Sequence, residues 1–223
     1  QLFSPVLDLA REPRFGRTEE MYSEDAYLAA MCGQAAVWGF QGRNAEPDNQ
    51  HVAATLKHFV GHGQPEGGRN TAPVNVSKYD LMNSHILPFE KCIQAGAISV
   101  MNDVLREKLG FKGLVIADQD ALREMYKTHK IVPTLADAAK IGIENGISVD
   151  LRYSVGAYDE LENLLNSGAI SEKLVDEAAL KVLTLKYQMG LFDFKEINEK
   201  EMLKVTNNPA HRALALEAAH KSL

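Results

Sequence analysis

The sequence predicts an α/β fold, a (β/α)8 TIM-type barrel that is incomplete and represented by its later strands. Three observations predict it. Short apolar runs ending in polar residues alternate with longer segments of helical period, as in a parallel sheet with covering helices. The residues able to do chemistry stand at the ends of those runs, where the loops of a barrel build its site. Only five runs are visible in 223 residues, whereas a whole barrel takes eight strands and commonly about 250 residues, so the chain is expected to begin after the first strands. A doubly wound sheet is the alternative.

In chain order the runs cover 2–9, 53–59, 97–102, 113–118 and 147–151. Ser23 and Asp25 open a helix that reaches about residue 40, and Ser77 with Asp80 opens one to about residue 95. Thr134, followed by Asp137, starts another that closes at Gly146. Ser171 reads as a strong cap for a helix over 172–189, with Leu174, Val175, Ala178, Val182 and Leu185 on its apolar face and Gly190 as its stop. At Met101-Asn102-Asp103-Val104 a strand would pass with no loop into a short helix over 103–109. Connections on the catalytic side usually run roughly 2 to 6 residues or more, so a segment is expected to be missing there. After Phe192 the chain turns polar, and Pro209 introduces a helix over 210–223. The expected domains are a barrel over 1–193, a linker over 194–209 and the first helix of another domain over 210–223.

Composition narrows the function classes. The chain is 45% hydrophobic and 24% charged, enough for a substantial core, and its net charge of -6 is spread without a Lys/Arg cluster. No nucleic-acid partner is expected. No apolar stretch approaches the roughly 18 residues of a membrane span, and Gln1-Leu2-Phe3-Ser4-Pro5 has no leader pattern, so any export signal is expected outside this sequence. Cys32 and Cys92 sit inside apparent helices and read as buried free thiols.

Asp118 ends the uncharged run Gly113-Leu114-Val115-Ile116-Ala117. A carboxylate there can attack a sugar carbon or stabilise an oxocarbenium ion, and it can equally cap the following helix. Lys57 and His58 end another run, a cation beside an imidazole suited to hydroxyls or carboxylates; a structural role for His58 competes with that reading, and neighbouring strand residues point to opposite faces unless the strand bends. The loop from Gly61 to Asn70 holds His62, Glu66 and Arg69 among four glycines and lacks the spacing of a phosphate loop. Arg11, Arg14 and Arg17 precede Glu19, Glu20, Glu24 and Asp25, either as a surface ion-pair network or with an Arg free to grip sugar hydroxyls. The histidines have no metal-site spacing, so neither a metal nor another cofactor is expected.

Taken in order, Ser4-Pro5-Val6-Leu7-Asp8-Leu9-Ala10-Arg11-Glu12-Pro13-Arg14-Phe15-Gly16-Arg17, Tyr22-Ser23-Glu24-Asp25, Leu56-Lys57-His58-Phe59-Val60-Gly61-His62-Gly63 and Gly113-Leu114-Val115-Ile116-Ala117-Asp118 resemble glycoside hydrolase family 3. The resemblance covers nearly the whole chain, from about the fourth barrel strand into the first helix of the family's α/β sandwich domain. It implies that Asp118 is the nucleophile of a retaining, exo-acting mechanism and that Arg17, Lys57 and His58 bind hydroxyls of the cleaved sugar. His62, Glu66, Arg69 and Asn102 are further candidates for substrate binding. The family's acid/base Glu is expected beyond the end of this chain, which alone is expected to be inactive. Gln119 stands where the family often has Trp or Tyr, so the stacking wall is expected from elsewhere. Val60, in place of a Pro, and Glu66-Gly67-Gly68-Arg69-Asn70 depart from the N-acetylglucosaminidase branch. The expected substrate is a small β-glucoside, with a xyloside or a non-catalytic sugar-binding barrel as alternatives. A periplasmic or secreted setting is favoured over a cytoplasmic one, and a homodimer is left open.

Overall fold

A computed structural model describes residues 2–43, 50–100, 109–193, 196 and 198–222. Asn102 and, but for Leu109, the expected short helix over 103–109 lie outside the described residues. The runs become strands β1 (Thr55–Leu56), β2 (Ser99–Val100), β3 (Leu114–Ala117) and β4 (Val149–Asp150). The run at 2–9 forms no named strand. It lies parallel beside β1 through bridges Leu2 to Ala54 and Val6 to Lys57.

The strands pair in the order β1-β2-β3-β4, all parallel, with Thr55 opposite Ser99, Val100 opposite Val115 and Ile116 opposite Val149. A doubly wound sheet would place successive strands on both sides of the first, with a reversal of order. Neighbours in simple chain order are what an arc of a (β/α)8 barrel requires. All four residues of β3 are buried, because both faces of such a sheet are covered.

Helix α1 (Ala26–Gln41) starts where Asp25 accepts the Leu28 N–H, and it packs along α2 (Leu87–Gln94). The single helix expected from Ser77 to about residue 95 is instead one α-turn (Lys78–Asp80), a π-helical turn (Leu81–His85) and α2. Pro88 explains part of this division, since it has no N–H to donate and is tolerated only in a first turn. Beyond β3 come α3 (Ala121–Lys127) and α4 (Leu135–Glu144), the latter capped by Thr134, whose side chain accepts from the Asp137 N–H. After β4 a 3-10 turn (Ala157–Glu160) leads into α5 (Leu161–Asn166) and then α6 (Glu172–Gln188). Ser171 occupies the N-cap of α6 but its side chain accepts no backbone N–H, so that end begins without the expected cap bond.

Leu7, Val37, Leu56, Phe89, Val100 and Val115 belong to the main buried cluster, against which Leu174 and Val175 of α6 pack. The other parity of β3, Leu114 and Ile116, meets Leu185, with Val182 and Met189 beside it. One helix therefore serves two apolar clusters. Cys32 and Cys92 are free thiols, and burial pushes the Cys92 thiol up to about 12. The chain divides into two compact units, 1–189 and 190–223. The second contains α7 (Glu199–Val205), inside the stretch expected as a linker, and α8 (Pro209–Lys221), capped by Asn208. No helix among the described residues is long and apolar enough to cross a membrane.

Gly33 lies where α1 approaches the first run and α2 closely. A Cβ there would stand 2.4 Å from Leu7 Cδ2 and 2.7 Å from Cys92 Sγ. Gly33→Ala gains about 1 kcal/mol of helix propensity but overpacks the core at a cost of about 1–3 kcal/mol, so its urea midpoint is expected to fall or at best stay level. A clear rise in stability contradicts this packing.

Candidate active site

The site begins with an acid inside an apolar run. Asp8, in Val6-Leu7-Asp8-Leu9, has a fully buried side chain. Its Oδ2 accepts the His58 backbone N–H at 2.7 Å and lies 2.9 Å from His58 Nδ1, while Oδ1 accepts the His62 backbone N–H at 3.0 Å. The run that ends β1 bends here, with cis peptides at Lys57–His58 and Phe59–Val60, and does not continue as a strand. Gly63 completes the turn against the first run, close enough that a Cβ would lie 2.2 Å from the Leu9 carbonyl oxygen.

Arg17 reaches the same place from the loop after the first run. Its Nε and Nη2 donate to the two carboxylate oxygens of Glu20 at 2.6 and 2.7 Å. Nη1 lies 2.9 Å from His62 Nε2, and Nη2 lies 3.1 Å from His58 Nε2. A guanidinium can only donate, so each of these ring nitrogens presents a lone pair. The Glu20 hydrogen bond raises the Arg17 pKa, and the same bond from Arg17 lowers that of Glu20. Burial, reinforced by neighbouring His58, brings the His62 pKa down to about 4. The His58 and His62 rings stand 4.2 Å apart, and Phe15 meets His62 edge-on at 5.1 Å.

Asp118 stands at the end of β3, with Oδ2 3.4 Å from His58 Nε2. It is not the cap of the next helix. Its Oδ1 accepts the Gln119 N–H at 2.7 Å, and α3 starts after Asp120, which has a left-handed backbone. The corner is tied to the end of β4, because Asp120 N–H donates to the Leu151 carbonyl at 2.7 Å. The Asp118 side chain remains 40% exposed.

Two hollows meet at Asp118. One, of about 510 Å³, is lined by His58, His62, Thr71, Val74 and Gln119 and runs inward over apolar side chains. The other, of about 390 Å³, is lined by Phe3, Lys57, Gln119, Leu151, Arg152 and Tyr153. Lys57 and His58 thus border Asp118 from different hollows. Asp118, Arg17, His58 and His62 come together, whereas Glu66 and Arg69 are exposed and line neither hollow. Asn102 is outside the described residues. Among those residues no group of three or more His, Cys, Asp or Glu is arranged for a metal.

Three participants escaped the sequence reading. Asp8 had a usable signal, since a lone acid in an apolar run must find buried donors. Glu20 was grouped with the surface acids, yet it holds Arg17. Tyr153, 83% exposed beside Arg152, carried no motif.

The depressed His62 pKa predicts a pH effect. Unfolding releases His62 to its ordinary pKa of 6.5, so between about 6.5 and about 4 the unfolded chain binds the extra proton and stability falls with pH. Asp8, Asp118, Arg17 and His58 all face this ring, and only its own titration disappears in His62→Gln. The melting temperature of the variant is expected to gain on that of the parent as the pH drops from 6.5 to 4; a constant difference would contradict a neutral, desolvated His62.

The profile of the Glycosyl hydrolase family 3 N terminal domain matches residues 1–103 and 99–185. The two stretches meet where the sequence lacked a loop. A "Beta-xylosidase" from Formosa agariphila is 34% identical over 251 residues, covering 99% of this chain and 34% of that protein. A "Periplasmic beta-glucosidase" from Salmonella typhimurium is 31% identical over 245 residues, covering 99% and 32%. Among solved structures, a β-glucosidase from Erythrobacter marinus aligns with a TM-score of 0.89 at 33% identity, over 96% of this chain and 31% of its own. A β-glucosidase from Listeria innocua in complex with glucose aligns with a TM-score of 0.80 at 34% identity, over 86% and 29%. The chain spans about a third of the length of these relatives. With its parallel strands in barrel order and the matched profile covering most of its length, this chain belongs to glycosyl hydrolase family 3.

Proposed function

We propose that this chain carries the sugar-gripping and nucleophilic part of a retaining, exo-acting β-glycosidase that removes terminal β-D-glucosyl residues from oligosaccharides or glucosides. The observation that carries the reading is Asp118, an accessible carboxylate at a strand end, 3.4 Å from a His58 that is itself hydrogen-bonded on its other side. In this reading an Asp118 oxygen attacks the anomeric carbon as the glycosidic bond breaks, giving a glycosyl ester that water then hydrolyses. Arg17, Lys57 and His58 hold sugar hydroxyls. A second carboxyl group must protonate the departing oxygen from about 5–5.5 Å away, and we place it in a part of the protein other than this chain. Residues 194–209 are read as a linker and 210–223 as the opening helix of a further domain.

The Formosa agariphila relative supports β-xylosidase activity as the second reading. A non-catalytic sugar-binding barrel is the third, and the presence or absence of the acid/base carboxyl in the full-length protein decides against or for it.

In the full-length protein, Asp118→Ala is expected to lower kcat/KM on 4-nitrophenyl β-glucoside by roughly 10^5-fold, the scale on which a nucleophile acts. A 2-fluoro-glucoside should add one sugar mass to the parent, on the peptide containing Asp118, and nothing to the variant. Activity that survives the substitution, or label on another residue, overturns the assignment. Comparing 4-nitrophenyl β-glucoside with the β-xyloside separates the first two readings. Tyr153 is an exposed aromatic that lines the same hollow as Gln119, which itself offers no ring. If it supplies the stacking wall, Tyr153→Ala should raise KM about 10-fold with kcat little changed, as expected for stacking worth about 1 kcal/mol or more.

A further inference from the structure

We propose that Asp8 is a positioning residue for the reaction, holding the His58 ring so that Nε2 presents a lone pair between Arg17 and Asp118. The inference rests on the glycosidase reading and adds to it a group that does not itself border the open site. Its basis is the count of donors and acceptors. The Asp8 carboxylate, fully buried, accepts two backbone N–H groups and faces Nδ1 at 2.9 Å. A carboxylate has no proton to give, so Nδ1 must carry the hydrogen. In a neutral ring Nε2 is then the acceptor, and it lies 3.1 Å from an Arg17 nitrogen that can only donate.

The reverse tautomer would put a lone pair against the Asp8 carboxylate and a hydrogen against the Arg17 guanidinium, unfavourable at both ends. Asp8 therefore sets the hydrogen-bonding sense of the edge turned toward Asp118 Oδ2, 3.4 Å away. With Nε2 as acceptor, its one lone pair can take a sugar hydroxyl in place of the Arg17 N–H, while Asp118 stays free to attack. Protonated there, it would donate to the nucleophile and weaken it. Because the same carboxylate binds the backbone of both His58 and His62, it sets where the two rings that flank Arg17 stand, as well as the tautomer of one.

The test uses the full-length protein and four forms: parent, Asp8→Asn, His58→Ala and the double variant. Asparagine keeps the size of Asp8 but offers an amide that can face Nδ1 as a donor and reverse the tautomer. For the folded fraction, judged by thermal melting, Asp8→Asn is expected to lower kcat/KM on 4-nitrophenyl β-glucoside roughly 10- to 100-fold, the usual effect of removing a group that orients an imidazole. The inhibition constant for gluconolactone should rise in parallel, and the double variant should be no worse than His58→Ala. Full activity in folded Asp8→Asn, or two losses that multiply, overturns the proposal, because a purely structural Asp8 acts independently of the His58 ring. If Asp8→Asn does not fold, the ring 15N shifts of histidine-labelled parent decide instead, with the His58 signals identified by their loss in His58→Ala. Protonated Nδ1 and unprotonated Nε2 are expected, and the opposite pattern overturns the proposal. That readout does not use activity, so it stands apart from any failure of the glycosidase reading, which the parent's turnover and Asp118→Ala reveal.

Discussion

The arrangement around Asp118 depends on one buried carboxylate. Asp8 lies in a buried apolar run where an unpaired charge would cost several kcal/mol, and two backbone N–H groups and one imidazole edge offset that cost. Its partners belong to the turn at 58–62, so satisfying the charge also fixes where β1 ends and where the following loop departs. Removing the carboxylate would leave those donors buried without partners, at roughly 1–3 kcal/mol each.

From that anchor the polar groups follow in sequence. The His58 and His62 rings are held about 4.2 Å apart, and Arg17 bridges their Nε2 atoms while Glu20 grips the rest of its guanidinium. Neutral His62 accepts from a cation without adding a second positive charge, which its depressed pKa reflects. In the proposed reaction Asp118 faces a preset array of donors and acceptors and does not have to organise one. Preorganisation of this kind is where enzymes gain most of their electrostatic advantage.

Some of this was legible in the residues. The run at 113–118 became β3 because an uninterrupted apolar stretch is what two-sided burial demands, whereas Ile147-Ser148-Val149-Asp150-Leu151 alternates apolar with polar residues and became the half-buried β4. Asp25, Thr134 and Gly146 marked helix ends by local chemistry that needs no distant partner. Ser171 did not form its side-chain bond, which nothing in the structure explains, and the stretch after Ser77 broke into three pieces where Pro88 and buried His85 and Phe89 meet tertiary contacts. Local capping rules see none of those contacts. Asp118, Arg17 and His58 were legible only as a set in family order; singly, each had an ordinary structural explanation.

The sequence by itself determined the parallel α/β plan, the strand-end carboxylate and the family motif, since these depend on hydrophobic period and on short spacings along the chain. Tertiary structure decided that the strands follow one another in barrel order, that Asp118 faces His58 and does not cap a helix, and that Glu20 belongs to the site while Glu66 and Arg69 line neither hollow. It also decided the role of Asp8, 50 residues from His58 along the chain. Hydrogen bonds and burial depend on distances in space, and across such separations only the folded chain brings donor and acceptor together.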